Sequence, residues 1–467
     1  MVAQALRGQK AYIFGWNAGS IELVKYFLAE GSEPTIIYES KPSDLEERLN
    51  EAVGAASLQV NLLNVQEAAE KITEASFVVV AEPRYFDAPL LEKARSLEIA
   101  VYTDLEFVSL HIKSDAKFVS VVGTNGKRTA THLLAAMLEA SGKKVFSACD
   151  KPLTAALNQV DKKDFIIVPT SCFQLEGIQT YKPEMVIFLN IAEDHADKYP
   201  NYETYVASFR EVLSNADDDT TLILNSQDPL VINYIHSAPG QKLLFGTQPV
   251  PEGFEGAWTT GDYSLSVRLG ELEDIADFDL KNHRLRGMHN RENLMAAVLA
   301  ALKLGVNVEQ IRQVIDQVRT LKDRLQFIKR INSVAFYNDA ASSNPSSLKA
   351  ALHSFKEPII LISGGRDRGL DFSSISPSVR QRVKNMMLVG EAKENLNRSL
   401  GDFTETFLVG TVEEAVIMAY QKSRVGDVVL FSPGCDFNDA FKSIGARGEA
   451  FSSLVLEIDK PRRPNVI

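Results

Sequence analysis

Short runs rich in Val, Ile, Leu and Phe alternate along this chain with amphipathic stretches, through most of its length. A strand buried on both faces reads as a short, nearly continuous apolar run, and the crossover helix that follows has apolar positions with period 3.6. The alternation therefore predicts α/β domains with largely parallel sheets. The first stretch gives a strand at 11–14, a turn holding Gly15 and Gly19, a helix over 21–30 and a strand at 35–38; strands at 77–81 and 100–103 complete a small βαβ domain over 1–110. A second domain, 111–318, opens with a strand at 118–122, a Gly-rich turn and a helix running to Ala140. Strands follow at 165–168, 185–190 and 221–225; 240–286 looks irregular apart from a hairpin piece at 263–268, and a helix covers 291–304. The third domain, 319–467, carries strands at 334–337, 358–363, 386–389, 406–408 and 428–432, and helices at 345–352, 411–423 and 439–457. Its Pro- and Arg-rich end, 460–467, is expected to fray.

Length supports the division, because 467 residues exceed what one core usually organises. With 45% apolar and 24% charged residues the composition is that of a globular protein. No apolar run is long enough to span a bilayer, and the N-terminus breaks into charge without a signal core. A cytoplasmic protein with no membrane partner is expected. The net charge of −11 argues against a general nucleic-acid binder. It leaves a small anion open, since phosphate binding depends on local geometry. Cys149, Cys172 and Cys435 lie far apart, which fits small apolar packing and neither a disulfide framework nor a zinc site.

One segment changes the picture. Gly123, Thr124, Asn125, Gly126, Lys127, Arg128 and Thr129 fall between a predicted strand and a predicted helix. Glycines let the backbone turn tightly and aim its N–H groups at phosphate oxygens; the helix N-terminus adds a favourable field and the lysine a cation. A plain βα turn that happens to hold Gly and Lys is the alternative. The nucleotide reading makes ATP the expected cofactor and gives the fold class: α/β in three domains, with a small Rossmann-like N-terminal domain, a central P-loop NTPase-like domain and a C-terminal Rossmann-like domain.

The same loop resembles the Gly-Thr-Asn-Gly-Lys-Ser/Thr-Thr signature of the Mur ligases, and further segments follow in that family's order. Phe173–Glu176 resembles its Phe-Gln-Leu-Glu segment, Asn190–Asp197 its Asn-x-x-x-Asp-His segment, and Gly287–Asn293 its Gly-x-His-Asn-x-x-Asn helix start. Tyr337-Asn338-Asp339, Gly364–Gly369 and Phe431–Cys435 resemble the later motifs. The likeness is greatest to the member that adds D-glutamate. It implies a stepwise ligation: ATP phosphorylates the carboxylate of UDP-N-acetylmuramoyl-L-alanine, and the amine of D-glutamate attacks the acyl phosphate. It further implies Lys127 and His195 in catalysis, Asn290 and Asn293 near adenine, Asp339 on ribose, Arg324 reaching the phosphates, and Gly15, Trp16 and Asn17 at the UDP moiety. Small-molecule partners, a monomer and a family magnesium ion complete the expectation.

Several positions depart from the family pattern. Arg128 stands where a Ser or Thr hydroxyl would meet Mg²⁺, Pro169 where a glutamate is placed, and Phe209 where a carbamylated lysine is placed. Ala341 replaces a substrate-binding lysine, Phe437 a serine facing D-glutamate, and Glu82-Pro83-Arg84 a Ser-Pro-Gly loop. No metal ligand is assigned on this basis. Either Arg128 brings a permanent cation to the phosphates in place of the ion, or the chain is a nucleotide- or UDP-sugar-binding scaffold with impaired ligation. His195 reads as a ligand to magnesium-bound water, a γ-phosphate organiser or a structural hydrogen-bonder; Glu193, Asp194 and Asp197 as metal carboxylates or solvated charges; Gly15 and Gly19 as a UDP turn or structural glycines. Asp436, Asp439 and Lys442 read as helix-start and surface charges.

Overall fold

The computed structural model describes residues 6–160, 164–235, 237–261, 264–270, 276–280, 285–437 and 440–458. Tyr263, Asp439 and the segment 460–467 lie outside them. The chain forms two compact units, one of Met1–Asn190, Tyr205–Asp279 and Leu294–Val314, the other of Ile191–Thr204, Leu280–Asn293 and Ile315–Ile467.

Among the described residues the first unit holds two sheets. The smaller is parallel, in the order Asn61–Asn64, Glu33–Tyr38, Lys10–Phe14, Phe77–Val80, Ala100–Thr103. Strand order reverses between Lys10–Phe14 and Phe77–Val80, and the crevice beyond the carboxyl ends at such a reversal is where open α/β sheets bind ligands. Both faces are covered, one by a cluster with Phe27 and Phe107, the other by one with Ile72 and Leu91. Phe107 is the hub of the first, its ring 5.5 Å from Phe27 and 5.7 Å from Phe77.

The larger sheet runs Ala276–Asp279, Ser264–Arg268, Glu255–Thr259, Gln241–Gly246, Thr221–Asn225, Met185–Phe188, Lys117–Val122, Phe165–Pro169, Val145–Ser147. Strand Lys117–Val122 pairs in parallel on both sides, so the turn after it opens inside the sheet and not at its edge. The stretch expected to be irregular instead supplies four strands, Gln241–Gly246 through Ala276–Asp279, the last two pairings antiparallel. Its pattern misleads because Gly256, which reads as a turn, sits inside a strand where a Cβ would strike the Leu244 carbonyl.

In the second unit the sheet runs Gln326–Ile331, Val334–Asn338, Val428–Phe431, Ile359–Gly364, Val383–Val389, Glu405–Leu408, with the first strand antiparallel and the others parallel. The last helix begins at Ile444, not near 439, because Ser443 caps it, accepting the Ala446 N–H at 3.1 Å. Asp436 and Lys442 therefore precede the helix. The Asp436 carbonyl instead accepts from Arg366 N–H and Arg447 Nη1.

Candidate functional site: a phosphate loop and a buried arginine knot

The Gly-rich turn has the shape its sequence predicts. Gly123 has φ +136°, and a Cβ there would lie 2.7 Å from the Asn190 carbonyl. Only glycine fits that approach. Asn190 holds the loop from three sides: its carbonyl accepts Thr124 N–H at 2.8 Å, its Oδ1 accepts Asn125 N–H at 2.9 Å, and its Nδ2 donates to Asn125 O at 3.0 Å. Gly126, at φ +91°, caps helix Lys127–Ala140 with no side chain over the first amides. That end of the helix is electropositive and open to an anion. The Lys127 ammonium folds back over the loop, donating to Gly123 O at 2.6 Å and Thr124 O at 3.0 Å.

Around the loop, Thr129 is buried while Arg128 points outward, 55% exposed, 3.8 Å from Asp150. Thr124 Oγ1 lies 2.9 Å from the buried Tyr205 hydroxyl, and the Tyr205 ring meets Phe209 edge-on at 5.0 Å. Phe209 is a core residue, 1% exposed.

His195 belongs to the second unit, in the left-handed region at φ +54°. Its Nδ1 is 3.1 Å from Arg368 Nη1. A guanidinium cannot accept, so Nδ1 carries the lone pair and the neutral ring holds its proton on Nε2. Arg368 Nη2 donates to Asp194 Oδ1 at 2.7 Å and to Ser343 O at 2.9 Å, in a pair only 3% and 6% exposed. Asp194 Oδ1 also accepts His195 N–H at 2.7 Å, and its Oδ2 accepts Asn344 Nδ2 at 2.9 Å. Arg368 lies in a segment singled out in the sequence, but its part in orienting His195 has no local signal; its partners are about 25 and 174 positions away.

The other nucleotide candidates lie in the same unit. Asn290 and Asn293 are buried on one face of helix Met288–Lys303, Asn290 Nδ2 donating to Arg286 O at 2.6 Å. Arg324 Nη1 reaches Ala341 O at 3.4 Å. Asp339 accepts from Ser432 Oγ at 2.8 Å and Leu325 N–H at 3.1 Å, and burial pushes its carboxyl up to about 7. His289 is half-buried; its enclosure, with the Arg324 charge adding to it, pushes it down to about 4, so it is neutral near pH 7. Two of the remaining candidates, Gly15 and Trp16, line a cleft of about 160 Å³ on the smaller sheet, and Asn17 caps the helix Ala18–Ala29 beside it.

The residues present do not fit a magnesium ion of the family kind. Arg128 offers no lone pair, Pro169 ends a strand, and Phe209 is sealed in the core. Both Asp194 oxygens are engaged by neighbours. Among the described residues no three His, Cys, Asp or Glu side chains gather as a metal cluster.

Residues 121–301 match the Mur ligase middle domain, and residues 323–435 the Mur ligase glutamate ligase domain. A UDP-N-acetylmuramoylalanine–D-glutamate ligase of Bdellovibrio bacteriovorus is 35% identical over 96% of this chain and 98% of its own. The protein of that name from Geotalea daltonii is 30% identical over 96% and 98%. A pseudomurein peptide ligase type C from Methanothermus fervidus shares the fold at TM-score 0.61 and 15% identity, covering 97% of this chain and all of that one. MurF from Acinetobacter baumannii does so at 0.59 and 16%, over 97% of this chain and 91% of that one. With two family domains in order and relatives matched almost end to end, the chain belongs to the Mur ligase family.

Proposed function

We propose that this protein is an ATP-dependent ligase that joins D-glutamate to UDP-N-acetylmuramoyl-L-alanine in the cytoplasm, working as a monomer. The observation that carries the reading is the Asn190-braced turn at Gly123–Thr129, on a chain whose near-full-length relatives bear that ligase name. In this reading residues 1–110 receive the UDP moiety, 111–318 the triphosphate, and 319–467 the remaining nucleotide and amino-acid contacts.

The substrate carboxylate attacks the γ-phosphorus and ADP leaves. The D-glutamate amine then attacks the acyl phosphate carbon, and inorganic phosphate departs as the amide forms. Little covalent work falls to the protein; its task is positioning and charge neutralisation. Loop amides and Lys127 take phosphate oxygens. Asn290 and Asn293 border adenine, and Asp339 accepts from ribose hydroxyls. Arg324 adds charge, and His195, neutral and held through Nδ1, presents Nε2–H to a developing phosphate charge.

Arg128 supplies a permanent cation at the second helical position, and its outward pairing with the exposed Asp150 leaves the side chain solvated enough to swing to a phosphate. The non-catalytic scaffold has no observation in its favour among the relatives. Phosphate release from ATP that requires both UDP-N-acetylmuramoyl-L-alanine and D-glutamate is the expected result. Release that ignores either substrate, or none at any Mg²⁺ concentration, overturns the reading.

A further inference from the structure

The turn that leads into strand Gln326–Ile331 has an unusual backbone on both sides of Arg324. Asp323 has φ +62° and Leu325 φ +46°, and neither is glycine. Side chains rarely accept this left-handed region, and such residues persist only where their surroundings over-determine them. Two adjacent residues do so here. Asn338 Nδ2 donates to Asp323 Oδ1 at 2.8 Å, and Asp339 Oδ1 accepts the Leu325 N–H at 3.1 Å. The Asp323 carbonyl accepts Ala341 N–H at 3.0 Å, and its own N–H donates to Gln326 Oε1 at 3.1 Å.

Asp323 is the deeper of the two anchors. It is buried, its carboxylate lying against helix Ile444–Ile458, where a Cβ on Gly448 would strike Oδ1. Glycine inside a helix costs stability relative to alanine, and the space it leaves is filled by this carboxylate. Asn338 cannot turn over: Nδ2 also donates to Gly448 O at 2.9 Å and Ser452 Oγ at 3.0 Å, while Oδ1 accepts Ala340 N–H at 2.9 Å. Arg324 is thus set between two pinned residues, with Nη1 directed to Ala341 O at 3.4 Å.

We infer that Asp323 is a positioning residue: through Asn338, and in the space left by Gly448, it fixes the left-handed turn that aims the Arg324 guanidinium at the phosphates of bound nucleotide. The inference rests on the reading that Arg324 adds charge to the ATP phosphates. Asp323 acts through the backbone alone. A side chain that leaves a fixed backbone loses less freedom when its planar fork meets an anion.

Calorimetric titration of the full chain with ATP and with AMP tests it, each protein being checked by its melting temperature. The set is the native protein, Asp323→Ala, Asp323→Asn, Gly448→Ala, Arg324→Met and the Asp323→Ala, Arg324→Met double variant. AMP lacks the β- and γ-phosphates and so reports the rest of the site. Asp323→Ala and Gly448→Ala are expected to bind ATP about tenfold more weakly and AMP within about twofold of native. Asparagine tolerates the left-handed region and accepts from Asn338 through its own Oδ1, so Asp323→Asn should stay within about twofold for ATP. In the Arg324→Met background, Asp323→Ala should cost less than about twofold, because the two residues act as one unit. Gly448→Ala leaves Asp323 in place and carries the test if Asp323→Ala folds poorly. Unchanged ATP affinity in Asp323→Ala and Gly448→Ala overturns the inference, as does an equal loss of AMP or a full cost without Arg324. Each of these leaves the ligase reading standing. ATP binding by none of the proteins, the native one included, overturns it together with the nucleotide reading.

Discussion

Asp339 shows how one buried carboxyl ties structure to a pH dependence. Its folded value, about 7, lies above the unfolded one, so its ionisation costs stability. The contribution is fully present below the unfolded value and is lost as pH rises through about 7. A ribose hydroxyl donating to the carboxylate favours the charged form and lowers that value. ATP binding is therefore expected to release protons near pH 7 and to tighten between pH 6 and 8, with calorimetry in buffers of different ionisation enthalpy as the check. Lys127→Ala, which removes the one loop ammonium over Gly123 and Thr124, should weaken ATP binding at least tenfold. If Arg128 takes the place of a metal, EDTA should change the ATP affinity of the native protein by less than about threefold. Arg128→Ser should then restore a requirement for Mg²⁺. Strong EDTA sensitivity of the native protein would refute that role. Arg368→Met leaves the Asp194 charge buried and uncompensated, and should cost about 3–5 kcal/mol in denaturant unfolding. Arg368→Lys, retaining charge without the fork, should recover only part of this.

At the scale of elements, the turn at Gly123–Thr129 was legible because its chemistry is local: glycines at the positive-φ positions and a lysine at the first helical residue. Its brace was not, since Asn190 lies 65 positions from Asn125 and its bonds exist only once strands Lys117–Val122 and Met185–Phe188 pair. The same limit hid the knot of Arg368 with Asp194. Strands with both faces buried, such as Phe77–Val80, were plain in the pattern; strands near Gly256 were not, because glycine packed inside a sheet looks like a turn. Helix Asp104–His111 carries Phe107, which packs on Phe27, Phe77, Tyr26 and Tyr102. Phe107→Ala should cost about 3–5 kcal/mol by opening a cavity there, again read from unfolding.

For the molecule as a whole, the order of motifs along the chain carried the family, while no motif alone could have done so. Sequence also exposed the departures at Arg128, Pro169, Phe209 and Ala341, and the structure gives several of them a physical setting. Phe209 meets Tyr205 edge-on, and Tyr205 holds Thr124 of the loop, so Phe209 is part of the loop's apolar support. The central claim is that such a chain still passes a substrate oxygen to phosphate on the way to an amide. UDP-N-acetylmuramoyl-L-alanine labelled with ¹⁸O in its carboxylate, incubated with ATP, D-glutamate and the protein, tests this directly by mass spectrometry of the phosphate released. Transfer of one labelled oxygen to each phosphate, together with the amide product, is predicted; unlabelled phosphate, or no phosphate at all, would contradict it.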